Sequence, residues 1–541
     1  MPLLHLEAMT RRHRGHSFKG MEMVQIGKWL AAGAVLLGVS AAARADEEAT
    51  RVDTQHVLLI SVDGMHEVDL RLWVKNHPGG ALAALSKRGT TYSRAKSSAP
   101  SDSFPGMIAL ASGATPFSAG VFYDDSYDRT LFAPGSNCAG KPGTEVAFAE
   151  NLDRSLADVT GGGTLGNPLS QIDPANLPMA KISGHCVVVF PHDFIRVNTV
   201  FEVLRAHGKH TAWSDKHPAY EILNGPSGKG IEDLFTPEIN SQMPGAPAGK
   251  DNTTSYKGVR DYDTIKVKAA INQIESKRST GFFVGYVPAI LGMNFQAVSV
   301  GQKLAKAGFG DNPSLTGGYA DAAGTPGSAL TLQLQFIDDS IGQMVTALKN
   351  KSLYDSTAII ISAKHGQSPI DVTQRRAIKD TFSTVLAADG YAFNNADDVA
   401  LIWLDPNLRT PAKLRSVLTD LRAASTELGI QRILGRDELR EVYRDPATDS
   451  RTPDFFVVPE HGVIYTGGTK LAEYGGVADD DRHVALLVSA SGLRGDLVDE
   501  PVFTTQVAPT ILSAFGISPR ELLAVRIEGT RPLPGVSGHD D

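Results

Sequence analysis

The sequence predicts an α/β fold in which a mostly parallel central sheet carries helices on both faces. Residues 56–62 (HVLLISV) are an uninterrupted apolar run, which is typical of a strand buried on both faces of such a sheet. Residues 331–349 carry one apolar stripe at helical spacing, formed by Leu334, Ile337, Ile341, Met344 and Leu348. A second apolar run, 357–362 (TAIIIS), follows this helix and predicts the next buried strand.

The alternation of strands and helices continues towards the carboxyl end. Thr410-Pro411 predicts the start of a helix, because proline is favoured in the first helical turn. Further strands are predicted at 455–458 and 484–488, and a closing helix at 504–515. We interpret residues 46–541 as one catalytic domain, within which 371–470 form an inserted α+β cap.

The amino-terminal residues 1–45 have the features of a signal peptide. The apolar run 29–43 follows Lys28 and is too short and too rich in Ala and Gly for a membrane span. Ala43-Arg44-Ala45 then has the small-x-small form of a signal-peptidase site. We therefore expect a periplasmic or secreted protein with no stable membrane span after cleavage. A buried helix or an uncleaved anchor is the alternative.

Composition and cysteine content narrow the class of protein further. The 541 residues are 42% hydrophobic and carry a net charge of −8, so there is no basic footprint for a nucleic-acid duplex. A small anionic ester remains compatible with this charge, because a local cationic site outweighs a mildly acidic surface. Cys138 and Cys186 are the two cysteines, and in an oxidising compartment they predict one disulfide. Two free buried thiols are the alternative.

Polar residues follow the predicted strands, at the sheet edge where α/β proteins place their active sites. Asp63 ends the first strand, and Lys364 and His365 follow the strand 357–362. The pattern alone leaves their roles open, since a strand-end Asp before Gly is often a turn residue and a lone His is often structural. His483 precedes the strand 484–488, and a solvated loop is its alternative.

Ser103 lies just before a predicted helix, in the segment PSDSFPGMIALASG (100–113). A hydroxyl at a helix N-terminus is close to free backbone N–H groups, and the helix dipole also favours an anion there. This position suits a nucleophile that attacks phosphorus or sulfur. A capping serine without a catalytic role is the more common use of the position, and Ser98 and Ser101 are competing nucleophiles. Residues 213–220 (WSDKHPAY) concentrate Asp215, Lys216 and His217 and are a further candidate for the substrate's surroundings.

The motifs SVDGM, SDSFPG, ISAKHGQ, DRHVALLV and TTQVAPTIL follow one another along the chain. In this order they resemble the alkaline-phosphatase superfamily, and most closely its type I phosphodiesterase/nucleotide pyrophosphatase branch. The resemblance covers residues 54–520 and implies an alkaline-phosphatase-like fold. It also implies a metal-binding Asp at Asp63, a hydroxyl nucleophile at Ser103 where Thr is usual, and metal-binding imidazoles at His365 and His483.

The sequence departs from the family pattern at three positions of the site. Lys364 stands where the family has an Asp beside His365. The family's Asp-x-x-x-His element is expected at 288–296, which reads PAILGMNFQ and offers only Asn294 and Gln296 as polar candidates. Gly106 replaces the family's oxyanion-binding Asn. We take Asn294 and Gly106 as the substrate-binding positions.

These departures leave too few ligands for two well-held zinc ions. We expect one divalent ion (Zn, or Mg, Ca or Mn), bound by Asp63, His365, His483 and an Asp of the run 479–481, taken as Asp480. Lys364 then supplies the positive charge of the lost metal site.

The expected activity is hydrolysis of a phosphodiester or a related phosphoric ester, with Ser103 and Lys364 as catalytic residues. The alternatives are a sulfate or phosphonate ester hydrolase and a degenerate periplasmic protein that binds an anion without turnover. SDSFPG lacks the Arg of the sulfatase motif Cys/Ser-x-Pro-x-Arg. No Gly-x-Ser-x-Gly elbow follows a strand, which disfavours a lipase-like esterase.

Overall fold

The computed structural model describes residues 54–148 and 152–536, so the predicted signal peptide lies outside the described residues. In chain order the strands are β1 (His56–Val62), β2 (Gly89–Tyr92), β3 (Ala95–Lys96), β4 (Asp125–Asp128), β5 (Thr144–Ala147), β6 (Met179–Ile182), β7 (His185–Val188), β8 (Ala212–Ser214), β9 (Asp233–Phe235), β10 (Ile290–Phe295), β11 (Thr357–Ser362), β12 (Arg376–Ile378), β13 (Tyr391–Ala396), β14 (Ala400–Leu404), β15 (Ile430–Leu434), β16 (Phe455–Pro459), β17 (Val463–Tyr465), β18 (Leu486–Ser489), β19 (Asp496–Val498) and β20 (Val502–Phe503).

The α-helices of the same residues are α1 (Glu67–Asn76), α2 (Ala81–Lys87), α3 (Ser103–Ser112), α4 (Pro116–Ala119), α5 (Pro168–Gln171), α6 (Pro191–Phe194), α7 (Val200–Ala206), α8 (Tyr256–Ile274), α9 (Ala297–Lys303), α10 (Ser328–Asn350), α11 (Phe382–Val385), α12 (Pro411–Ala423), α13 (Arg436–Leu439), α14 (Asp479–Arg482), α15 (Val507–Ala514) and α16 (Leu523–Glu528). Short 3₁₀ helices lie at Pro174–Asn176, Pro218–Asn224, Asn252–Thr254, Tyr354–Ser356, Val372–Gln374, Thr504–Gln506 and Pro519–Glu521.

The largest sheet has eight strands in the order β19-β2-β18-β11-β1-β10-β8-β9. Strands β11, β1, β10, β8 and β9 are parallel, whereas β18 is antiparallel to both of its neighbours, β11 and β2. The prediction of a mostly parallel central sheet is therefore confirmed. Because parallel strands end at the same edge of a sheet, the residues that follow β11, β1, β10 and β8 meet there.

The apolar run of β1 is explained by two hydrophobic cores, one on each face of this sheet. Val57 and Leu59 point into one core, and Leu58 and Ile60 point into the other. Helix α3 contributes to the first core, and helices α8 and α10 contribute to the second. The apolar stripe that predicted α10 is almost completely buried, as the spacing requires.

A second sheet lies within residues 391–459. It has four antiparallel strands in the order β13-β14-β16-β15. Apolar residues on one face of this sheet pack with helix α12 in a cluster separate from the two cores of the central sheet, and those on the other face pack against Phe122, Tyr123 and Tyr127. These elements fall inside 371–470, and the division of the chain into a catalytic domain and a cap stays a prediction.

The predicted disulfide is confirmed, because Cys138 and Cys186 are bonded across a sequence separation of 48. Cys186 lies on β7, in a hairpin with β6. Among residues 54–148 and 152–536, no helix has both the length and the apolar character needed to cross a membrane.

Candidate active site

Four strand ends bring charged and polar residues to one place. Asp63 follows β1, His365 lies shortly after β11, and Lys216 follows β8, while Asn294 is near the end of β10. Asp63, Asn294 and His365 are completely buried, and Lys216 is 7% exposed. The edge of the sheet thus assembles these residues from segments that are far apart in sequence.

Ser103 is brought to the same place by helix α3. The N-cap of this helix is Asp102, whose side chain accepts a hydrogen bond from the Phe104 backbone N–H (3.0 Å). Ser103 is therefore the first helical residue, and its hydroxyl does not have to act as the cap. The competing serines bind elsewhere: Ser98 donates to the Pro100 carbonyl (3.2 Å), and Ser101 donates to the Asp481 carbonyl (2.6 Å).

The Ser103 hydroxyl lies between a base and a cation. Its Oγ is 3.1 Å from His365 Nε2 and 3.0 Å from Lys216 Nζ. His365 Nδ1 lies 2.9 Å from the Gly366 carbonyl, which can only accept, so Nδ1 carries the proton. Burial lowers the pKa of His365 below its usual value, which favours the neutral ring. Ser103 Oγ thus donates to His365 Nε2 and accepts from Lys216.

Asp63 anchors the groups around the hydroxyl. Its Oδ1 accepts from Asn294 Nδ2 (2.7 Å), and its Oδ2 accepts from Gln296 Nε2 (2.6 Å) and Lys216 Nζ (3.3 Å). His365 Nε2 is 3.6 Å from the same Oδ2. Burial acts to raise the pKa of Asp63, but the nearby cations Lys364 and Lys216 hold it well below its usual value, so this residue is a carboxylate.

Lys364 belongs to the site but does not bind Ser103 directly. Its ammonium donates to Asp215 Oδ1 (2.8 Å) and lies 3.8 Å from the centre of the Tyr220 ring. Burial lowers the pKa of Lys364 to about 8. The same Asp215 oxygen accepts from the Lys216 backbone N–H (2.9 Å), which links the two lysines through one carboxylate.

Gly106 has a packing role in this structure. A Cβ added at Gly106 would lie 2.1 Å from the backbone oxygen of Lys364. Helix α3 therefore packs directly on the backbone that precedes His365, and no side chain fits between them. The Asn294 amide donates a hydrogen bond to Asp63.

His483 and Asp480 do not join Asp63 and His365. His483 Nε2 donates to the Ser93 carbonyl (2.7 Å), and Asp480 Oδ2 binds His461 Nε2 (3.0 Å) and the Ile370 backbone N–H (2.9 Å). Asp480 lies in α14 and His483 directly follows this helix, and both side chains have partners other than Asp63 and His365. The order of motifs along the sequence does not reveal this.

The donors around Asp63 do not suit a divalent ion. Both carboxylate oxygens already accept hydrogen bonds from amide or ammonium groups, and His365 has one nitrogen on a carbonyl and the other on Ser103. In the part of the chain that the structure describes, no group of three or more His, Cys, Asp or Glu side chains is arranged to hold a metal ion. The expected four-residue ligand set is therefore not assembled.

Tyr474 covers the base. Its ring stacks on the His365 imidazole, with the ring centres 4.3 Å apart, and the Lys303 ammonium lies 3.7 Å from the centre of the Tyr474 ring. Tyr474 belongs to the segment between the second sheet and α14, so this segment closes over the reacting groups.

Two residues that the sequence-based site did not include are central to it. Lys216 contacts the nucleophile and Asp215 holds Lys364, although the segment 213–220 was recognised only as a candidate for the substrate's surroundings. The signal was present, because Asp215 and Lys216 follow a strand just as Asp63 follows β1. That strand, β8, has only three residues, and so short an apolar run does not stand out in the sequence.

Two kinds of comparison relate this chain to known proteins, one of its sequence and one of its structure. The sequence profile of the family described as type I phosphodiesterase / nucleotide pyrophosphatase matches residues 57–483. Among solved structures, murine ectonucleotide pyrophosphatase / phosphodiesterase 5 superposes with a TM-score of 0.54 at 13% identity, and the human protein with 0.53 at 14%. Wild-type alkaline phosphatase PafA superposes with a TM-score of 0.58 at 16% identity. Each of these three matches covers 86% of this chain and 96% of the other.

A search of curated proteins found no significant match. The structural likenesses establish the alkaline-phosphatase-like fold, and the profile match extends over most of the described residues. The chain therefore belongs to the type I phosphodiesterase/nucleotide pyrophosphatase family and, by that membership, is a phosphoric ester hydrolase.

Proposed function

We propose that the chain hydrolyses phosphoric diesters through a covalent intermediate on Ser103, with His365 as the general base. The observation that carries this proposal is the pair of contacts at Ser103 Oγ, one to a neutral imidazole nitrogen and one to an ammonium. A hydroxyl is a weak nucleophile unless an adjacent base accepts its proton. The contact with His365 supplies that base at hydrogen-bonding distance.

The first step joins Ser103 Oγ to phosphorus while its proton passes to His365 Nε2. The bond between phosphorus and the leaving oxygen breaks, and that oxygen takes the proton from the imidazolium. Water then attacks phosphorus with His365 again as base, and Ser103 leaves and recovers its proton. Asp63, whose Oδ2 is 3.6 Å from Nε2, stabilises the imidazolium that exists between the two transfers.

The charges of the site support a diester as the substrate. Two carboxylates, Asp63 and Asp215, face two ammonium groups, Lys216 and Lys364, so their charges balance before any substrate binds. Burial and Asp124 raise the pKa of the neighbouring Asp102 carboxyl well above its usual value. A monoanionic diester adds one negative charge to this buried site, whereas the dianion of a monoester adds two at a higher desolvation cost.

Hydrolysis of bis(p-nitrophenyl) phosphate by the mature protein tests the proposal, with p-nitrophenyl phosphate and p-nitrophenyl sulfate measured beside it. We expect the diester to give the highest kcat/KM, and Ser103→Ala to lower it by about 10³-fold or more, as loss of a nucleophile does in other enzymes. Ser98→Ala is the matched control, because Ser98 contacts neither His365 nor Lys216, and it should keep the wild-type rate.

Acid quenching during turnover, followed by mass spectrometry, should locate the phosphoryl group on Ser103. Turnover that persists in Ser103→Ala would refute the serine mechanism. Binding of the diester without any turnover would favour the alternative of an anion-binding protein. A higher kcat/KM for the sulfate ester would instead identify a sulfate ester hydrolase.

We also propose that the protein is exported. The Cys138–Cys186 disulfide supports this, because such bonds persist in oxidising compartments. Cell fractionation with the native amino terminus, together with the mass of the mature chain, tests both export and cleavage after Ala45. Recovery of a full-length, reduced chain from the cytoplasm would contradict the proposal.

A further inference from the structure

The Lys216 ammonium occupies the place that a nucleophile-bound cation would take. Its Nζ lies 3.0 Å from Ser103 Oγ and 3.3 Å from Asp63 Oδ2, so it bridges the attacking oxygen and the carboxylate at the end of β1. A divalent ion that activates a hydroxyl must contact the same two kinds of oxygen. The Lys216 ammonium and a divalent ion cannot both occupy this position.

The other polar side chains that contact Asp63 and Ser103 are already engaged in hydrogen bonds. Asn294 and Gln296 donate amide hydrogens to the two oxygens of Asp63. His365 directs a protonated nitrogen at the Gly366 carbonyl and its free nitrogen at Ser103. Each group is paired as a hydrogen-bond partner, and an ion would have to break several of these contacts to bind.

The ammonium keeps its charge in this buried position. Burial acts to lower the pKa of Lys216, but the carboxylates of Asp63 and Asp215 outweigh it and raise the pKa above its usual value. The second lysine, Lys364, forms an ion pair with the other carboxylate, Asp215. Two positive charges thus lie near the reacting hydroxyl, one on Lys216 after β8 and one on Lys364 after β11.

We propose that Lys216 replaces a catalytic metal ion, so that this enzyme transfers a phosphoryl group without any divalent cation. The proposal rests on the function proposed above and identifies Lys216 as a catalytic residue. Its ammonium donates to Ser103 Oγ in the resting state. As the Oγ–phosphorus bond forms and the proton moves to His365, the same ammonium offsets the negative charge that develops on the oxygens around phosphorus.

No further reactant is needed. The ammonium of Lys216 remains protonated throughout. The proton that leaves Ser103 passes through His365 to the leaving oxygen, and a proton of the attacking water restores the Ser103 hydroxyl. The bond to the leaving oxygen breaks in the first step and the phosphorus–Ser103 bond in the second. The products are an alcohol and a phosphoric monoester.

The metal content and chelator resistance of the wild-type protein test the proposal directly. Protein purified without added metal is dialysed against EDTA and 1,10-phenanthroline, analysed by inductively coupled plasma mass spectrometry, and assayed with bis(p-nitrophenyl) phosphate. We expect far less than one ion per chain, an unchanged kcat/KM after dialysis, and no activation by Zn, Mg, Mn or Ca.

Variants at Lys216 test its role independently of metal analysis. Lys216→Met should lower kcat by about 100-fold or more, which is typical for loss of one group that stabilises transition-state charge. Lys216→Arg keeps the charge and should retain more activity than Lys216→Met. Lys257→Met is the control, because Lys257 is an exposed lysine paired with Asp261 on α8 and should behave as wild type. Circular dichroism and thermal unfolding establish that each variant is folded.

The possible outcomes separate this inference from the proposed function. Diesterase activity that disappears on chelation and returns with about one divalent ion per chain would overturn the role of Lys216 but leave the serine hydrolase standing. Equal activity of Lys216→Met and wild type would also overturn it. A wild-type protein without diesterase activity, with or without added ions, would overturn the proposed function and this inference together.

Discussion

The close packing of Gly106 on Lys364 gives a prediction whose size follows from distances. In Gly106→Ala the new Cβ would lie 2.1 Å from the Lys364 carbonyl oxygen and 2.7 Å from its carbon. Real Cβ contacts stay beyond 3.0 Å, so helix α3 or the backbone at Lys364 has to move by about 0.9 Å. The contacted atoms belong to the Lys364 backbone, so no flexible side chain can rotate away to relieve the contact.

This movement should change both stability and rate. Overpacking of a core costs about 1–3 kcal/mol, and the better helix propensity of alanine returns up to about 1 kcal/mol, so we expect a net loss of up to about 3 kcal/mol in the free energy of unfolding. The displaced helix carries Ser103, and the displaced backbone leads into His365. A misplacement of about 1 Å between reacting groups costs about 100-fold in rate, and we expect that loss in kcat/KM.

Urea denaturation followed by circular dichroism and the diester assay measure the two effects. Gly342→Ala is the matched control, because Gly342 is also inside a helix, α10, and its added Cβ would meet only the Ala81 Cβ, at 3.6 Å. That variant should be more stable by up to about 1 kcal/mol and fully active. If Gly106→Ala were as stable and as active as Gly342→Ala, the packing argument would be refuted.

Two further predictions concern pH and the disulfide. Burial puts the pKa of Lys364 at about 8, so its positive charge is lost as the pH rises through that value, and kcat/KM should fall there. His365 has to be neutral to act as the base. Because burial lowers its pKa, the rise of kcat/KM with pH should lie below pH 6.5. The pH profile of Lys364→Met should lack the upper limb, and an unchanged profile would contradict the assignment. Replacing Cys138 and Cys186 by Ser opens a loop of 48 residues and should cost about 4 kcal/mol or less of unfolding free energy by chain entropy, with kcat/KM unchanged. Urea midpoints of the double variant and wild type measure this, and equal midpoints would show that the bond contributes nothing.

Periodicity was sufficient to predict the elements that form the sheet and its main helices. The run 56–62 became β1, 357–362 became β11, and the stripe of 331–349 lies within α10. These patterns succeed because a strand buried on both faces has to be apolar at every position, and an amphipathic helix has to repeat its apolar residues with its own period. The closing helix at 504–515 is divided into a 3₁₀ turn, Thr504–Gln506, and α15.

The site was predictable where a polar residue directly follows a long strand. Asp63, Lys364 and His365 were found in this way, and Ser103 was found at a helix N-terminus. The rule failed for Lys216, because β8 has only three residues and the strand itself was not recognised. The family resemblance and the acidic run 479–481 gave His483 and Asp480 a shared role with Asp63, whereas in the structure their side chains bind Ser93 and His461.

The sequence by itself determined the layered fold, the disulfide, the family, and the chemical character of the groups at the sheet edge. Only the tertiary structure decided which of these groups meet, because contacts at an edge depend on the strand order β11-β1-β10-β8 and on the path of each loop. That order places a lysine from β8 on a serine from α3 and a carboxylate from β1. Side chains separated by more than a hundred residues become partners there, and no local pattern records such a distance.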